Sequence, residues 1–99
     1  MKNYLITGHS DGTAAPSTNE EWGAFFETIS AHVVDGGKPL GARAQVSAGK
    51  VSKDGSDDTT VGYYIIKADS LGDAIELVKG SPFADRPGCT VVVYETEQM

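Results

Sequence analysis

Two segments constrain the fold of this chain more than any others: "TVGYYIIKA" at residues 60–68 and "TVVVYE" at residues 90–95. Both are rich in β-branched and aromatic residues, so both predict β-strands. A strand in a sheet with one solvated face alternates apolar and polar residues, but these two are apolar at successive positions. The sequence predicts only two helices, which cover one face of a four-stranded sheet. The second face needs another cover, and we predict that a second copy of the chain supplies it in a homodimer.

The first predicted helix opens at "STNEEW", where Ser17 with Glu20 and Thr18 with Glu21 both satisfy the capping-box spacing. Its apolar residues recur on one helical face and are Trp22, Phe25, Phe26, Ile29 and Val33. The run Asp35-Gly36-Gly37 predicts the end of this helix, with Gly36 or Gly37 as the left-handed cap.

The remaining elements complete a β-α-β-β-α-β order. Residues 2–7 and 40–51 predict the first two strands, and "DSLGDAIELVKG" at residues 69–80 predicts the second helix. Together with the two apolar strands, they predict one α+β domain over residues 1–99. Its fold is expected to be ferredoxin-like, with a four-stranded antiparallel sheet.

Composition excludes several classes of function. The 99 residues carry a net charge of −6, and an acidic surface repels both phosphate backbones and anionic membranes. One cysteine forms no internal disulfide, and the N-terminal apolar run is too short for a signal peptide or a membrane span. We therefore predict a cytoplasmic protein that binds neither nucleic acid nor membranes.

The sequence "GHSDG" at residues 8–12 matches G-x-S-x-G, the turn that presents the nucleophilic serine of α/β-hydrolases. That turn requires a helix directly after the serine, whereas the helix signal here begins only at Ser17 or Thr18. Ser10 is therefore predicted to lie in a loop, where Ser10 and Asp11 cap backbone groups and Gly12 turns the chain.

The segment "GYYIIKADSLGDAIELVKGSPF" at residues 62–83 resembles the YCII-related proteins, especially the branch named for its DGPF motif. Residues 36–55, "GGKPLGARAQVSAGKVSKDG", are similar to the G-k-p-L and D-G segments of that branch. The resemblance implies a dimeric α+β barrel, in which two ferredoxin-like protomers pack sheet to sheet. It also implies small organic molecules as substrates or ligands, and an active site built on a proposed His–Asp pair.

This chain departs from the family at that pair. Phe25 or Phe26 stands near the position of the histidine, and Ser81 stands at the position of the aspartate. The DGPF motif keeps Asp54-Gly55 but continues with Ser56-Asp57. The acid–base pair that the resemblance implies is therefore not matched in this sequence.

Four further residues are candidates for chemistry. His9, at the end of the first strand, could act as an acid or base near neutral pH, or be a solvated loop histidine. Arg43 could bind a carboxylate or phosphate, or be an edge-strand charge that opposes aggregation. Tyr63 could line a pocket or serve in packing. Asp85 could replace the missing acid, or pair with Arg86 at the surface.

Other polar residues have simpler explanations. His32 is placed in the last turn of the first helix, where the helix dipole favours its protonated form. Cys89 is placed at the start of a strand, with no basic neighbour in sequence to activate its thiol. The spacing of Asp54, Ser56 and Asp58 resembles the start of a calcium loop, but the glycine and the final glutamate of such a loop are absent. We predict no metal site and no cofactor.

The function predicted from these observations is the binding of a small organic molecule, with His9, Arg43, Tyr63 and Ser81 as candidate ligand-binding residues. His9 and Asp85 are the candidates for catalysis, and whether the chain is an enzyme stays open. Two alternatives remain: a lyase- or isomerase-type enzyme that uses acid–base chemistry, and a non-catalytic protein-interaction module.

Overall fold

The structure is a computed structural model and describes residues 1–13, 17–52 and 58–97. Its strands are β1 (Lys2–Ser10), β2 (Val33–Pro39), β3 (Gln45–Ser47), β4 (Lys50–Ser52), β5 (Thr60–Ala68) and β6 (Cys89–Glu95). Its helices are α1 (Asn19–Thr28) and α2 (Leu71–Val78), and a short 3-10 turn spans Ser30–His32. The main sheet has the order β2-β5-β1-β6, with every neighbouring pair antiparallel. The predicted α+β, ferredoxin-like fold with a four-stranded antiparallel sheet is confirmed.

One face of the sheet packs against both helices and forms the core. Tyr4, Ile6 and Ile66 are fully buried there. The helices add a buried residue set to the same core, namely Phe25, Ile29, Ala74 and Val78. Fully burying an isoleucine, phenylalanine or valine side chain stabilises the fold by about 1.5–3 kcal/mol relative to leaving it exposed, and the single methyl group of Ala74 contributes less.

The predicted capping box opens α1 at Thr18. The Glu21 N–H donates to Thr18 Oγ1 and the Thr18 N–H donates to Glu21 Oε1, both at 3.1 Å. Ser17 acts differently, because its Oγ accepts from the Trp22 indole N–H at 2.7 Å. The cap thus fixes where the helix begins, and the Ser17 hydroxyl fixes the first aromatic ring of the helix.

The opposite face of the sheet, which we call the open face, carries no helix of the described chain. Strand register places six side chains at its centre: Leu5, Thr7, Tyr63, Ile65, Val92 and Tyr94. The polar residues Asn3, Lys67 and Thr90 lie on the same face toward its ends. Tyr94 is 49% exposed, and the other five central side chains are half-buried by one another. The apolar positions predicted on both faces of the last two long strands are therefore present.

The boundary between α1 and β2 differs from the prediction. The helix ends at Thr28 rather than at Asp35–Gly37, and Val33 begins the edge strand β2. Asp35 Oδ1 accepts from the Gly37 N–H at 2.8 Å, so the Asp-Gly-Gly run forms an irregularity inside this strand. Gly37, at φ 67°, is therefore not a helix cap. The predicted second strand at residues 40–51 is also wrong, because this segment holds the separate β3–β4 hairpin.

Candidate functional site

A cavity of about 410 Å³ opens between α1, the helix-covered face of the sheet and the segment after α2. Its walls are mainly aromatic, with Trp22 and Phe26 from α1, Tyr64 from β5 and Phe83 from the segment after α2. Tyr63 of β5 also lines it, although strand register places its side chain on the open face. The other lining residues are Ile6, Gly8, Ser17, Asn19, Gly36, Gly37, Lys38, Pro39, Val61, Gly62 and Val91. The cavity thus lies where the end of the sheet meets the first turns of α1.

The aromatic walls are held by edge-to-face contacts. The Trp22 and Phe83 ring centroids lie 5.3 Å apart at 71°, and those of Phe26 and Tyr64 lie 5.2 Å apart at 86°. Such pairs contribute about 0.5–1.5 kcal/mol beyond their buried area. Four of the rings therefore support one another and form firm walls.

Two glycines allow the walls to approach the strands. A Cβ on Gly8 would lie 3.1 Å from the Phe83 ring, which therefore packs directly on the β1 backbone. A Cβ on Gly37 would overlap the Tyr63 carbonyl oxygen, so only glycine lets β2 run this close to β5. Both positions shape the cavity by the absence of a side chain.

Few polar side chains line this apolar cavity. Tyr64 is 5% exposed and Ser81 is 3% exposed, and neither hydroxyl makes a well-formed hydrogen bond to the described residues. Burial raises the pKa of the Tyr64 phenol, while the neighbouring Ser81 hydroxyl opposes that rise. The phenol therefore stays protonated at neutral pH. Lys38 is the exposed cation of the lining, and the described lining residues include no carboxylate and no imidazole.

His9 lies away from this cavity, in a hollow of about 250 Å³ that Cys89 also lines. Its Nε2 lies 2.8 Å from Thr7 Oγ1, and its Nδ1 lies 3.2 Å from Thr59 Oγ1. Threonine hydroxyls therefore occupy both ring nitrogens. The predicted placement of Ser10 in a loop is wrong, because β1 continues beyond residue 7 and Ser10 is its last residue, paired with Cys89. Its predicted capping contact is present, since Ser10 Oγ accepts from the Gly12 N–H at 3.2 Å.

Arg43 holds two chain segments together. Its Nε and Nη2 donate to the Gly41 carbonyl at 3.3 and 3.1 Å, and its Nη1 donates to the Asp58 carbonyl at 3.1 Å. The same Nη1 lies 3.3 Å from the Asp58 carboxylate. Ligand binding by Arg43 stays a prediction, and the contacts present are those of a clamp at the base of the β3–β4 hairpin.

The structure does not gather the predicted residues around one cavity. Tyr63 lines the cavity and Ser81 lies behind its wall beside Tyr64, whereas His9 and Arg43 lie elsewhere. Asp85 is exposed in the segment after α2. The roles assigned to all five in ligand binding or catalysis remain predictions.

The predicted place of His32 in the last turn of the first helix is wrong, because α1 ends at Thr28. His32 lies in the 3-10 turn, outside α1, with its Nδ1 3.1 Å from the Lys67 carbonyl oxygen. Asp54 and Ser56 lie outside the described residues, and Asp58 binds Arg43 and Thr60. The described part of the chain holds no cluster of three potential metal-ligating side chains.

The sequence pattern missed the main contributors to the cavity. Trp22 and Phe26 appear in the sequence as members of the core-facing helical stripe, and Phe83 appears only in a turn. The one available signal in the sequence was its concentration of aromatic residues, with Trp22 and Phe26 in the first helix, Tyr64 in a strand and Phe83 after the second helix. Ring spacing on a helix does not distinguish a filled core from a cavity wall.

Comparisons with known proteins point to the fold. A scan against models of protein families gives no match, and neither does a search of curated proteins. Among solved structures, the chain is similar to 5-chloro-2-hydroxyhydroquinone dehydrochlorinase from Burkholderia phenoliruptrix AC1100, solved in complex with 2,5-dihydroxybenzoquinone. The TM-score is 0.58 at 18% identity, over 98% of this chain and 95% of the other. No described helix has the length and apolar content needed to cross a membrane. At this identity the likeness establishes the fold alone.

Proposed function

We propose that this chain binds a small planar aromatic molecule in the cavity bounded by Trp22, Phe26, Tyr63, Tyr64 and Phe83. The aromatic lining is the single observation that carries this proposal. Flat aromatic ligands stack on or meet the edges of such rings, and the rings of Trp22, Phe26, Tyr64 and Phe83 are already fixed by one another. A volume of about 410 Å³ lies within the range of small-molecule pockets, about 300–1,000 Å³.

The charge of the lining favours an anionic ligand, such as an aromatic carboxylate or an acidic phenol. Lys38 supplies a positive charge at the exposed side of the cavity, and none of the described lining residues supplies a negative one. The protonated Tyr64 hydroxyl is buried in the wall and lacks a well-formed hydrogen bond. It is available as a donor to an oxygen on the ligand.

Binding fits this site better than acid–base catalysis does. General acid–base catalysis uses a group whose pKa lies near the working pH, most often histidine or a carboxylate. The titratable groups of the described lining are Lys38, Tyr63 and Tyr64, and burial moves the Tyr64 pKa further from neutrality. We therefore propose a binding protein, with a lyase- or isomerase-type enzyme as the alternative.

The family resemblance points to the same place. The expected histidine is replaced by Phe25 or Phe26, both of which contact the Tyr64 ring, and the expected aspartate is replaced by Ser81, which also adjoins Tyr64. A YCII-related chain would thus keep the position of the family site and replace its acid–base groups with a ring and a hydroxyl. The similar dehydrochlorinase was solved with a small dihydroxybenzoquinone, which is a ligand of the proposed size and chemistry.

Trp22 provides the test, because it is the single tryptophan of the chain and lines the cavity. Its fluorescence is followed during titration with benzoate, 4-hydroxybenzoate, benzyl alcohol and 2,5-dihydroxybenzoquinone. We expect saturable changes, and tighter binding of the anions than of benzyl alcohol. Lys38→Ala should remove that preference while leaving benzyl alcohol binding unchanged.

A matched pair of variants locates the binding site. Val91→Phe fills the cavity that Val91 lines, whereas Val92→Phe makes the same change on the open face. Loss of binding in the first variant alone supports the cavity. Linear, unsaturable quenching by every compound, or equal behaviour of the two variants, would refute the proposal.

We also propose that two copies associate through the open face. Its central side chains are mainly apolar or aromatic and, apart from the exposed Tyr94, half-buried, and no described helix covers them. Val92→Asp should shift the mass measured by sedimentation equilibrium from dimer to monomer. Ala24→Asp, an exposed position on α1, should leave the dimer intact. A monomeric parent protein at micromolar concentration would contradict this assembly.

A further inference from the structure

One histidine and four threonines lie together at one end of the open face. His9 pairs with Thr90 of β6 and follows Thr7 of β1 by two residues, so all three side chains lie on the same face of the sheet. Thr59 and Thr60 lie next to the His9 ring on the side of β5. We call these five residues the His9 cluster. The ring nitrogens of His9 therefore face hydroxyl groups, each of which can donate or accept a hydrogen bond.

The direction of these hydrogen bonds is set from Asp58. The Thr60 hydroxyl donates to Asp58 Oδ1 at 2.7 Å, and the Thr60 N–H donates to the same oxygen at 3.0 Å. These two bonds, and then Arg43, hold the pKa of Asp58 below its usual range, so at neutral pH the carboxylate is ionised and only accepts. The one hydroxyl proton of Thr60 is thus committed to Asp58, and its oxygen offers only lone pairs to His9.

This commitment selects one tautomer of His9. Thr60 Oγ1 lies 3.3 Å from His9 Nδ1, and Thr59 Oγ1 lies 3.2 Å from the same nitrogen. A proton on Nδ1 satisfies both oxygens, whereas a lone pair on Nδ1 would face the lone pairs of Thr60. Neutral His9 therefore carries its proton on Nδ1, and its Nε2 accepts from the Thr7 hydroxyl at 2.8 Å. In this state the Thr7 hydroxyl proton is satisfied within one protomer.

A second proton on His9 reverses the last bond. Nε2 then donates to Thr7 Oγ1, so the proton of the Thr7 hydroxyl must find another acceptor. The ring also gains a positive charge on a face whose centre is mainly apolar or aromatic. Burying such a charge without a paired carboxylate is costly, whereas water solvates it on an exposed face. Protonated His9 is therefore compatible with an uncovered open face and disfavoured under a second copy.

The groups around the ring do not neutralise that charge. Among the described residues, the titratable side chains around the His9 cluster are those of Asp58, Asp11 and Cys89. Asp58 is separated from the ring by Thr60 and already lies 3.3 Å from Arg43 Nη1. Asp11 is exposed, and its carboxylate caps the turn that follows β1. By register, Cys89 points to the helix-covered face of the sheet.

We propose that His9 makes association through the open face sensitive to pH. Neutral His9, with its proton on Nδ1, permits the second copy, and His9 protonated on both nitrogens opposes it. This inference rests on the open-face association proposed above, whereas the proton order within the His9 cluster does not. Because the monomer takes up the second proton more readily than the dimer, a falling pH shifts the equilibrium to monomer. Histidine changes its charge between about pH 5 and pH 8, so the shift falls in that range.

Sedimentation equilibrium between about pH 8 and about pH 5.5 measures the shift, above the range in which most carboxylates titrate. We expect the dimer Kd to rise about tenfold or more on acidification. His9→Gln keeps a side chain that donates and accepts but carries no charge, so its Kd should stay nearly constant. His32→Gln is the matched control, because His32 is the other histidine of the chain and contacts Lys67, at the opposite end of β5 from Thr60. It should retain the pH dependence of the parent.

The proton order has its own measurement. In protein labelled with 15N-histidine, long-range 1H–15N correlation spectra near pH 8 identify which ring nitrogen carries the proton. We expect Nδ1 in the parent. Thr60→Val removes the oxygen that only accepts and should reduce the Nδ1-protonated fraction, whereas the same change at Thr59 should preserve it. A proton on Nε2 in the parent, or equal spectra for the two variants, would overturn the proton order.

The two measurements separate the possible failures. A parent dimer whose Kd does not change with pH, or an equal change in the parent and His9→Gln, would overturn the role of His9 and leave the dimer standing. A parent that is monomeric at every pH would refute the open-face association and its pH dependence together. The NMR measurement still decides the proton order of the His9 cluster in that case.

Discussion

Replacing Gly37 by alanine tests how closely β2 must approach β5. Gly37 has φ 67°, and this left-handed conformation costs a non-glycine residue about 1–2 kcal/mol. The new Cβ would also overlap the Tyr63 carbonyl oxygen and lie 3.0 Å from the Tyr64 Cα. Because both neighbours are backbone atoms of a central strand, β2 itself must move. That movement weakens ladder hydrogen bonds near Lys38, worth about 0.5–1.5 kcal/mol each.

The sum is a destabilisation of about 3 kcal/mol or more, which corresponds to a fall in Tm of about 12–24 °C for a domain of this size. Gly36→Ala is the matched control, since its Cβ would meet nothing within 4 Å and it also lines the cavity. Its stability should stay within about 1 kcal/mol of the parent. Urea and thermal unfolding, followed by circular dichroism, measure the stability of both variants. If the free energies of unfolding of Gly37→Ala and Gly36→Ala differ by less than about 1 kcal/mol, β2 does not need a glycine at position 37 to approach β5.

Three further predictions concern single side chains. The hydrogen bond from the Thr18 N–H, and then Arg86, lower the pKa of Glu21 below its ordinary value of 4.5. The ionised Glu21 carboxylate therefore stabilises the fold above pH 4.5, and this stabilisation is lost as the pH falls through the pKa of the folded state. The Tm difference between the parent and Glu21→Gln should therefore shrink from pH 7 to pH 3. Tyr64→Phe removes a buried hydroxyl without a well-formed hydrogen bond, so unfolding should show unchanged stability or a gain of up to about 1 kcal/mol. Ala48 has φ 52° in the turn between β3 and β4, and Ala48→Asn should slow amide exchange in that hairpin.

The sequence predicted the elements with strong local signals. The capping box at Thr18 and the apolar run of β5 specify their structures through neighbouring residues alone. The boundary at Val33 did not follow, because a valine four residues after Ile29 continues a helical stripe as well as it begins a strand. The Asp-Gly-Gly run is also compatible with two local structures, a helix cap and an irregular edge strand. The packing of β2 on β5 selects the second, and that contact spans some 30 residues of chain.

The candidate site was predictable only in part. Tyr63 and Ser81 were identified from their strand and from the family resemblance, and both lie in or beside the cavity wall. The cavity itself is unfilled space between rings from three segments, and no single segment encodes it. His9 and Arg43 carry the most reactive side chains among the candidates, yet hydroxyls and carbonyls bind them. Reactive residue type thus indicated possible chemistry better than it indicated location.

Tyr63 connects the two proposed activities, because it belongs to the open face by register and also lines the cavity. A second copy seated on the open face would restrict the Tyr63 side chain, and a ligand in the cavity would lie against the same residue of β5. Binding and association must then be linked, with each changing the other by the same factor. Sedimentation equilibrium with and without a saturating ligand measures the factor from one side, and the ligand Kd at low and high protein concentration measures it from the other. Tyr63→Ala should abolish the linkage, whereas the same change at Tyr94, on the open face but away from the cavity, should weaken the dimer without altering the affinity of the monomer. A dimerisation constant that ligand leaves unchanged would show that Tyr63 serves only one of the two surfaces.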